Sequence, residues 1–76
     1  MKEALQAIIE AIVSDKSAVL IEEKQEENTT IFEVKVAESD MGKVIGKEGR
    51  IAKAIRVVIK AIASREQKKV SVEFIG

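Results

Sequence analysis

The sequence lacks cysteine, histidine, proline, tryptophan and tyrosine altogether, and its only aromatic residues are two phenylalanines. Without cysteine or histidine, the chain has no disulfide, no thiolate nucleophile, no imidazole base and no ligand set for structural zinc. The remaining acids form no recognisable catalytic pair. The composition therefore predicts a protein that is not an enzyme and that holds neither a metal nor a cofactor.

Long apolar runs are also lacking. No run reaches the ~20 residues needed to span a bilayer, and the segment Met1–Ala4 contains an early acid rather than the apolar region of a signal peptide. A chain of 76 residues, 46% apolar and 34% charged, has the size and composition of one soluble domain. We therefore expect residues 1–76 to form a single domain in the cytoplasm.

Net charge is absent only when the chain is taken as a whole. Residues 1–40 hold four basic and ten acidic residues, a balance of −6, whereas residues 41–76 hold nine basic and three acidic residues, a balance of +6. Positive charge concentrated on one part of a small domain is typical of a nucleic-acid-binding protein. The excess of bases begins where the glycine-rich part of the chain begins.

Hydrophobic periodicity predicts three helices and three strands. The helices are expected over residues 2–14, 41–45 and 50–65, and the strands over residues 18–25, 29–37 and 69–75. Ser39 or Asp40 is expected to cap the short helix. The order α-β-β-α-α-β predicts an α+β fold in which three helices cover one face of a three-stranded sheet.

The long predicted helix separates apolar from basic residues. The side expected to face the core holds Ile51, Ile55, Val58, Ile59 and Ile62. The opposite side holds Arg50, Lys53, Arg56 and Lys60. Leu20, Ile31 and Ile75 are expected on the more exposed face of the sheet, where single apolar residues are ordinary.

The most informative stretch is residues 44–51, in which Gly46 and Gly49 stand between two predicted helices. It is not a P-loop, because Gly42 and Gly46 enclose three residues and Glu48 stands where a magnesium-binding hydroxyl is required. It is not a dinucleotide fingerprint either, since position 44 is valine where that motif needs glycine. Nucleotide hydrolysis and hydride transfer therefore lose their main support.

In this context the chain resembles the KH family of RNA-binding domains in its type II arrangement, which has a mixed sheet. Residues 40–54 resemble, more narrowly, the small stand-alone bacterial KH proteins of the KhpA family. The resemblance implies that the loop Gly46–Gly49 clamps the backbone of about four nucleotides of single-stranded RNA. It also implies that Val44, Ile45 and Ile51 form a floor under the bases, and that strand 69–75 borders the groove.

Elementary electrostatics favours the same location. The free N–H groups near Gly49 and Arg50, at the positive end of a helix, attract phosphate. The lysines expected to add charge around the loop are Lys43, Lys47 and Lys53. Glu48 departs from the family pattern, and we expect its side chain to point away from the RNA backbone.

Some assignments stay open on the sequence alone. Outside its context, the glycine pair is typical of a simple helix–helix turn. Arg56 and Lys60 fit a solvated helix face at least as well as an RNA-binding surface, and Lys68 and Lys69 are undecided. A backbone clamp also accepts single-stranded DNA, because it does not inherently read the 2′-hydroxyl group.

The resemblance further implies partners and a role. KhpA-like proteins are associated with self-association and with a larger KH protein of the Jag (KhpB) family, so a homodimer or heterodimer is expected. The role implied is post-transcriptional regulation or RNA chaperoning. The rival hypothesis is a KH-fold protein-interaction module with weak or no RNA binding, which Glu48 and the shortage of stacking aromatics favour.

Overall fold

The computed structural model describes residues 1–75, with their side chains except that of Lys47. The chain forms helix α1 (Lys2–Ile12), a 3-10 turn (Lys16–Ala18), strands β1 (Leu20–Glu26) and β2 (Thr29–Lys35), helix α2 (Glu38–Arg65) and strand β3 (Lys69–Phe74). The predicted α+β class and the predicted order of strands and helices are confirmed.

The three strands form one mixed sheet in the order β1-β2-β3. β1 and β2 are antiparallel neighbours, with Ile21 opposite Val34, as expected for strands joined by a short polar turn. β2 and β3 are parallel, with Phe32 opposite Val72, so the chain between them must cross over the sheet. α2 makes this crossover, and it leaves β3 as an edge strand.

α2 differs from the two separate helices predicted over residues 41–45 and 50–65. The helical span runs without a gap from Glu38 to Arg65. Within it, however, Glu48 has a φ of +62° and Gly49 a φ of +71°, whereas a right-handed helix requires about −63°. The helix axis therefore breaks at the predicted loop, although the helical hydrogen-bonding pattern continues on both sides.

The predicted cap of this helix is wrong. The helix begins earlier than expected, its N-cap is Ala37, and no side chain caps it. Asp40 lies within the first turn, where its carboxylate is turned instead toward the end of α1.

The core lies between the helices and one face of the sheet. Its largest fully buried side chains come from every layer and include Leu5, Ile9, Phe32, Val34, Val44 and Ile59. Burial of each such side chain contributes about 1.5–3 kcal/mol. This core fixes α2 against β3 and so fixes the position of the glycine loop.

The buried face of α2 is rotated from the predicted one. Ala52, Ile55, Ile59 and Ala63 are buried, whereas Ile51 is 36% exposed and Val58 is 45% exposed. The small alanines allow the helix to approach the sheet closely, and this turns the larger neighbouring residues outward. The result is an exposed apolar stripe, formed by Ile51, Ala54, Val57, Val58 and Ala61.

The outer face of the sheet carries both apolar and charged side chains. Leu20 is 49% exposed there, while Ile31 and Ile75 are half-buried. Lys24 and Glu33 form an ion pair on this face, at 3.0 Å between Nζ and Oε1. Within residues 1–75, no helix is both long and apolar enough to cross a membrane.

Candidate nucleic-acid interface

The loop needs glycine at position 46 and at position 49 for different structural reasons. Gly49 has a left-handed backbone, a conformation that glycine adopts without the steric cost that other residues bear. Gly46 has no such requirement. Among the atoms that the structure describes, none lies within 4 Å of the point where a Cβ at Gly46 would stand. The surface over Gly46 is therefore open, and a ligand can approach the backbone closely.

A cavity of about 570 Å³ opens beside Gly46. It lies between the end of α1 and the residues on both sides of the break in α2. Its lining residues are Ile12, Gly42, Lys43, Gly46, Arg50 and Ile51. The loop glycine, two cations and an apolar residue of the predicted site are thus brought together around one opening.

Two lining residues, Gly42 and Ile12, were not among the predicted site residues. Ile12 comes from a different helix. It is the last residue of α1, and it fits the helical spacing of the core residues Leu5 and Ile9, so nothing in the pattern distinguishes it. In the structure it is half-buried, and it lines the cavity from the α1 side.

Asp40 fastens α1 to α2. Its side chain is 1% exposed, and its two carboxylate oxygens accept hydrogen bonds from the backbone N–H of Ser14 at 2.9 Å and of Asp15 at 3.0 Å. These two N–H donors stabilise the ionised form and lower the pKa of Asp40, and Lys43 lowers it further. A buried carboxylate is thereby satisfied by groups more than twenty residues away in sequence.

Lys43 is held in place by the same cluster. Its Nζ lies 3.5 Å from an oxygen of Asp40 and donates a hydrogen bond to the hydroxyl oxygen of Ser14 at 2.5 Å. These contacts orient the ammonium group toward the end of α1, and Lys43 lines the cavity beside Gly46. The same contact with Asp40 offsets part of the positive charge that Lys43 was expected to supply.

The remaining predicted site residues fall into distinct environments. Val44 is fully buried, so its predicted place in the floor under the bases is wrong; it supports the loop from the core. Ile45 is 44% exposed and Ile51 is 36% exposed, so both can contact a ligand. The acid of the loop, Glu48, is exposed, and so are the cations Arg50 and Lys53. The prediction for the side chain of Lys47 lies outside the described residues.

Arg56 joins α2 to the edge strand. Its Nε–H donates a hydrogen bond to the carbonyl oxygen of Val72 at 3.0 Å, and its guanidinium carbon lies 5.5 Å from the centre of the Phe74 ring. This distance is within the range of a cation–π interaction. Arg56 is half-buried and is not part of a purely solvated face.

Together these features define the class of protein. The element order, the parallel pairing of β2 with β3 and the glycine loop that breaks α2 are those of a type II KH domain. The family model described as "KhpA/KhpB, KH domain" matches residues 2–74, and the chain belongs to this family. It is a family of binding domains rather than enzymes, in agreement with the prediction from composition.

Curated relatives extend over the whole chain. The chain is 53% identical over 75 residues to the RNA-binding protein KhpA of Clostridium acetobutylicum, an alignment that covers 99% of this chain and 100% of that protein. Identity to the RNA-binding protein KhpA of Clostridium perfringens is 52% with the same coverage. Identity to the protein of that name in Listeria monocytogenes is 37%, covering 99% of both chains. The resemblance to KhpA proteins inferred from residues 40–54 is confirmed.

Proposed function

We propose that this chain binds single-stranded RNA without catalysis, and that it acts in the cytoplasm in post-transcriptional regulation or as an RNA chaperone. One observation carries this proposal most directly: the open backbone at Gly46 lies in a single cavity with Lys43, Arg50 and Ile51. The names of the KhpA relatives give independent support.

The proposed clamp acts on the RNA backbone. The loop Gly46–Gly49 admits the sugar-phosphate chain because the space over Gly46 is open. A phosphate is attracted by the free N–H groups at the start of the helical segment that follows Gly49. Arg50 and Lys53, with Lys43 and Lys47, add positive charge along the path. Glu48 is the one acid inside the loop, and it opposes them.

The bases are proposed to lie over Ile45 and Ile51. Both are exposed beside the loop, and their apolar surfaces can cover base faces but cannot distinguish base edges by hydrogen bonding. Each phosphate neutralised on a single strand contributes about −0.7 to the slope of log affinity against log salt. Binding through two or three phosphates is therefore expected to be moderate, salt-sensitive and of low sequence specificity.

The experiment for the clamp compares two variants of equal net charge. In Gly46→Asp, the new side chain enters open space over the loop, so the domain folds while the carboxylate repels the RNA backbone. In Lys2→Gln, the same change of charge lies at the start of α1, whose opposite end lines the loop cavity. Fluorescence anisotropy with a labelled single-stranded RNA should show at least a tenfold loss for Gly46→Asp and less than a twofold loss for Lys2→Gln. Equal affinities in both folded variants would exclude the clamp.

The exposed apolar stripe favours a second function for the same domain. Val57 is 67% exposed and Val58 is 45% exposed on α2, and residues of this kind form the centres of protein–protein interfaces. We therefore keep the hypothesis of a dimerisation module, either as a homodimer or with a Jag (KhpB)-type KH protein. Ile51 belongs both to the stripe and to the lining of the cavity, so the surfaces proposed for dimerisation and for RNA binding adjoin each other.

A backbone clamp also accepts single-stranded DNA. Single-stranded DNA of the same length is therefore the competitor in the anisotropy assay.

A further inference from the structure

A band of cations follows the line along which α2 packs beside β3. Lys53, Arg56 and Lys60 are three and four residues apart, a spacing that places them on one side of the helix. Arg56 reaches Val72 near the middle of β3, while Lys60 shares a cavity with Lys69 at its start. The helix and the edge strand therefore run in opposite directions, and the cations follow the strand edge away from the glycine loop.

The far end of this band is a second cavity, of about 360 Å³. Its lining residues are Thr29, Lys60, Ala63, Lys68, Lys69 and Val70. Three lysines and one threonine thus line one opening. Lys69 and Val70 belong to the strand expected to border the RNA groove, whereas none of the lining residues belongs to the glycine loop or its immediate neighbours. From Arg50 to Lys60 the helix rises by about 15 Å, so this cavity is clearly separate from the loop.

Nearby acids offset the positive charge only in part. The Nζ of Lys68 lies 3.8 Å from a carboxylate oxygen of Glu66, at the end of α2. Glu26 pairs with Thr29, which in turn pairs with Lys69. Glu26 is therefore two strands from Lys69, or about 10 Å, roughly one Debye length at 0.1 M salt. Lys60 and Lys69 are exposed and supply most of the unbalanced charge.

We infer that the cavity of Lys60, Lys68 and Lys69 is a second phosphate-binding subsite for the RNA strand held by the loop. The inference rests on the proposed function, because the strand must first be clamped at Gly46–Gly49. The continuous basic band, with Lys53 next to the loop and Arg56 bonded to the strand edge, gives the RNA a path between the two sites. The bound segment is therefore longer than the four or so nucleotides that the loop alone holds.

A length comparison tests this inference. The affinities of labelled single-stranded RNA tetramers and decamers of mixed sequence are measured for the wild-type chain, for Lys60→Gln/Lys69→Gln and for the control Lys35→Gln. Lys35 lies at the opposite end of the strand from Thr29, ~20 Å away along β2, and it is likewise an exposed lysine. All three substituted side chains are exposed, and circular dichroism checks that the variants fold.

The double variant should bind the tetramer as the wild type does, within about twofold, and should bind the decamer less tightly. Two lost phosphate contacts reduce the salt slope for the decamer by about 1.4, so the loss of affinity between about 50 and 200 mM salt becomes ~7-fold smaller. If the double variant and Lys35→Gln have equal effects, or if tetramer and decamer are weakened alike, the subsite does not exist. Failure of the proposed function is a different result, because the wild-type chain would then bind neither RNA.

Discussion

The side chain of Arg56 donates a hydrogen bond from its Nε–H to the carbonyl oxygen of Val72, at 3.0 Å. β3 is the edge strand of a three-stranded sheet, so this carbonyl belongs to the side of the strand that has no neighbouring strand. The bond ties the helix to the sheet at the place where the strand is otherwise open. It also covers part of an edge that could pair with another chain.

This relationship predicts a stability loss when the guanidinium group is removed. Arg56→Met keeps an unbranched side chain but loses the bond to Val72 and the contact with Phe74, and should lower the free energy of unfolding by about 1–2 kcal/mol. Urea denaturation followed by circular dichroism measures the change. Lys60→Met, an exposed lysine on the same side of the helix, should change it by less than about 0.5 kcal/mol. Equal effects would mean that the Arg56 contacts contribute nothing.

The lowered pKa of Asp40 should make the stability of the domain depend on pH. Because this pKa is lowered in the folded state, the stabilising effect of Asp40 is complete above the ordinary aspartate pKa of about 3.9 and is lost as the pH falls through the lowered value. Asp40→Asn should therefore be less stable than the wild type at neutral pH, since an amide cannot accept both N–H donors as well. The difference should shrink as the pH falls below about 4, while the exposed Glu23→Gln should show little effect throughout. A deficit that stays constant with pH would contradict this assignment.

Substitution of Glu48 is expected to raise the affinity of the chain for RNA. Glu48 holds a left-handed backbone, with a φ of +62°, and it brings a negative charge to the proposed phosphate path. Glu48→Gly removes both the charge and the backbone strain; it should bind RNA more tightly and gain up to ~1 kcal/mol of stability. Glu48→Gln separates the two effects, because it removes the charge and keeps the strain. If neither variant binds RNA more tightly in anisotropy titrations, the negative charge of Glu48 does not weaken the clamp, and its side chain points away from the RNA backbone as the sequence predicts.

The apolar stripe predicts self-association. Val57→Asp places a charge on the most exposed valine of α2 and should raise the dissociation constant of a homodimer by tenfold or more, or ~1.4 kcal/mol. Sedimentation velocity over a concentration series measures this constant. Ser64→Asp, an exposed position near the end of the same helix, is the control. A wild-type chain that remains monomeric at all concentrations would remove the homodimer hypothesis and leave the heterodimer.

Much of the fold follows from local pattern. The alternation of Phe32 and Val34 with polar residues gives β2, and the apolar spacing of Leu5 and Ile9 gives α1. The predictions that were wrong concern features that depend on contacts between residues far apart in sequence. Asp40 looked like a helix cap because its true partners, Ser14 and Asp15, are far away in sequence.

The errors on α2 have a similar cause. Isoleucine and valine outweigh alanine in any hydrophobic pattern, yet the close approach to the sheet buries Ala52 and Ala63 and leaves Val58 exposed. The predicted loop coincides with the backbone break at Glu48 and Gly49 because glycine spacing is a local signal, although the helical span continues through it. Ile12 and Arg56 acquire their places only when α1 and β3 are packed against α2, so no local pattern reveals them.

The backbone clamp is tested most directly by a titration of the ¹⁵N-labelled chain with a short, mixed-sequence single-stranded RNA, followed by amide chemical shifts at low and moderate salt. If the loop clamps the RNA backbone, the shifts concentrate in residues 43–53 and in β3, and they weaken as salt is added, since phosphate contacts release counterions. If those residues do not shift while RNA is in excess, the backbone clamp is wrong, and the domain is a protein-binding KH fold.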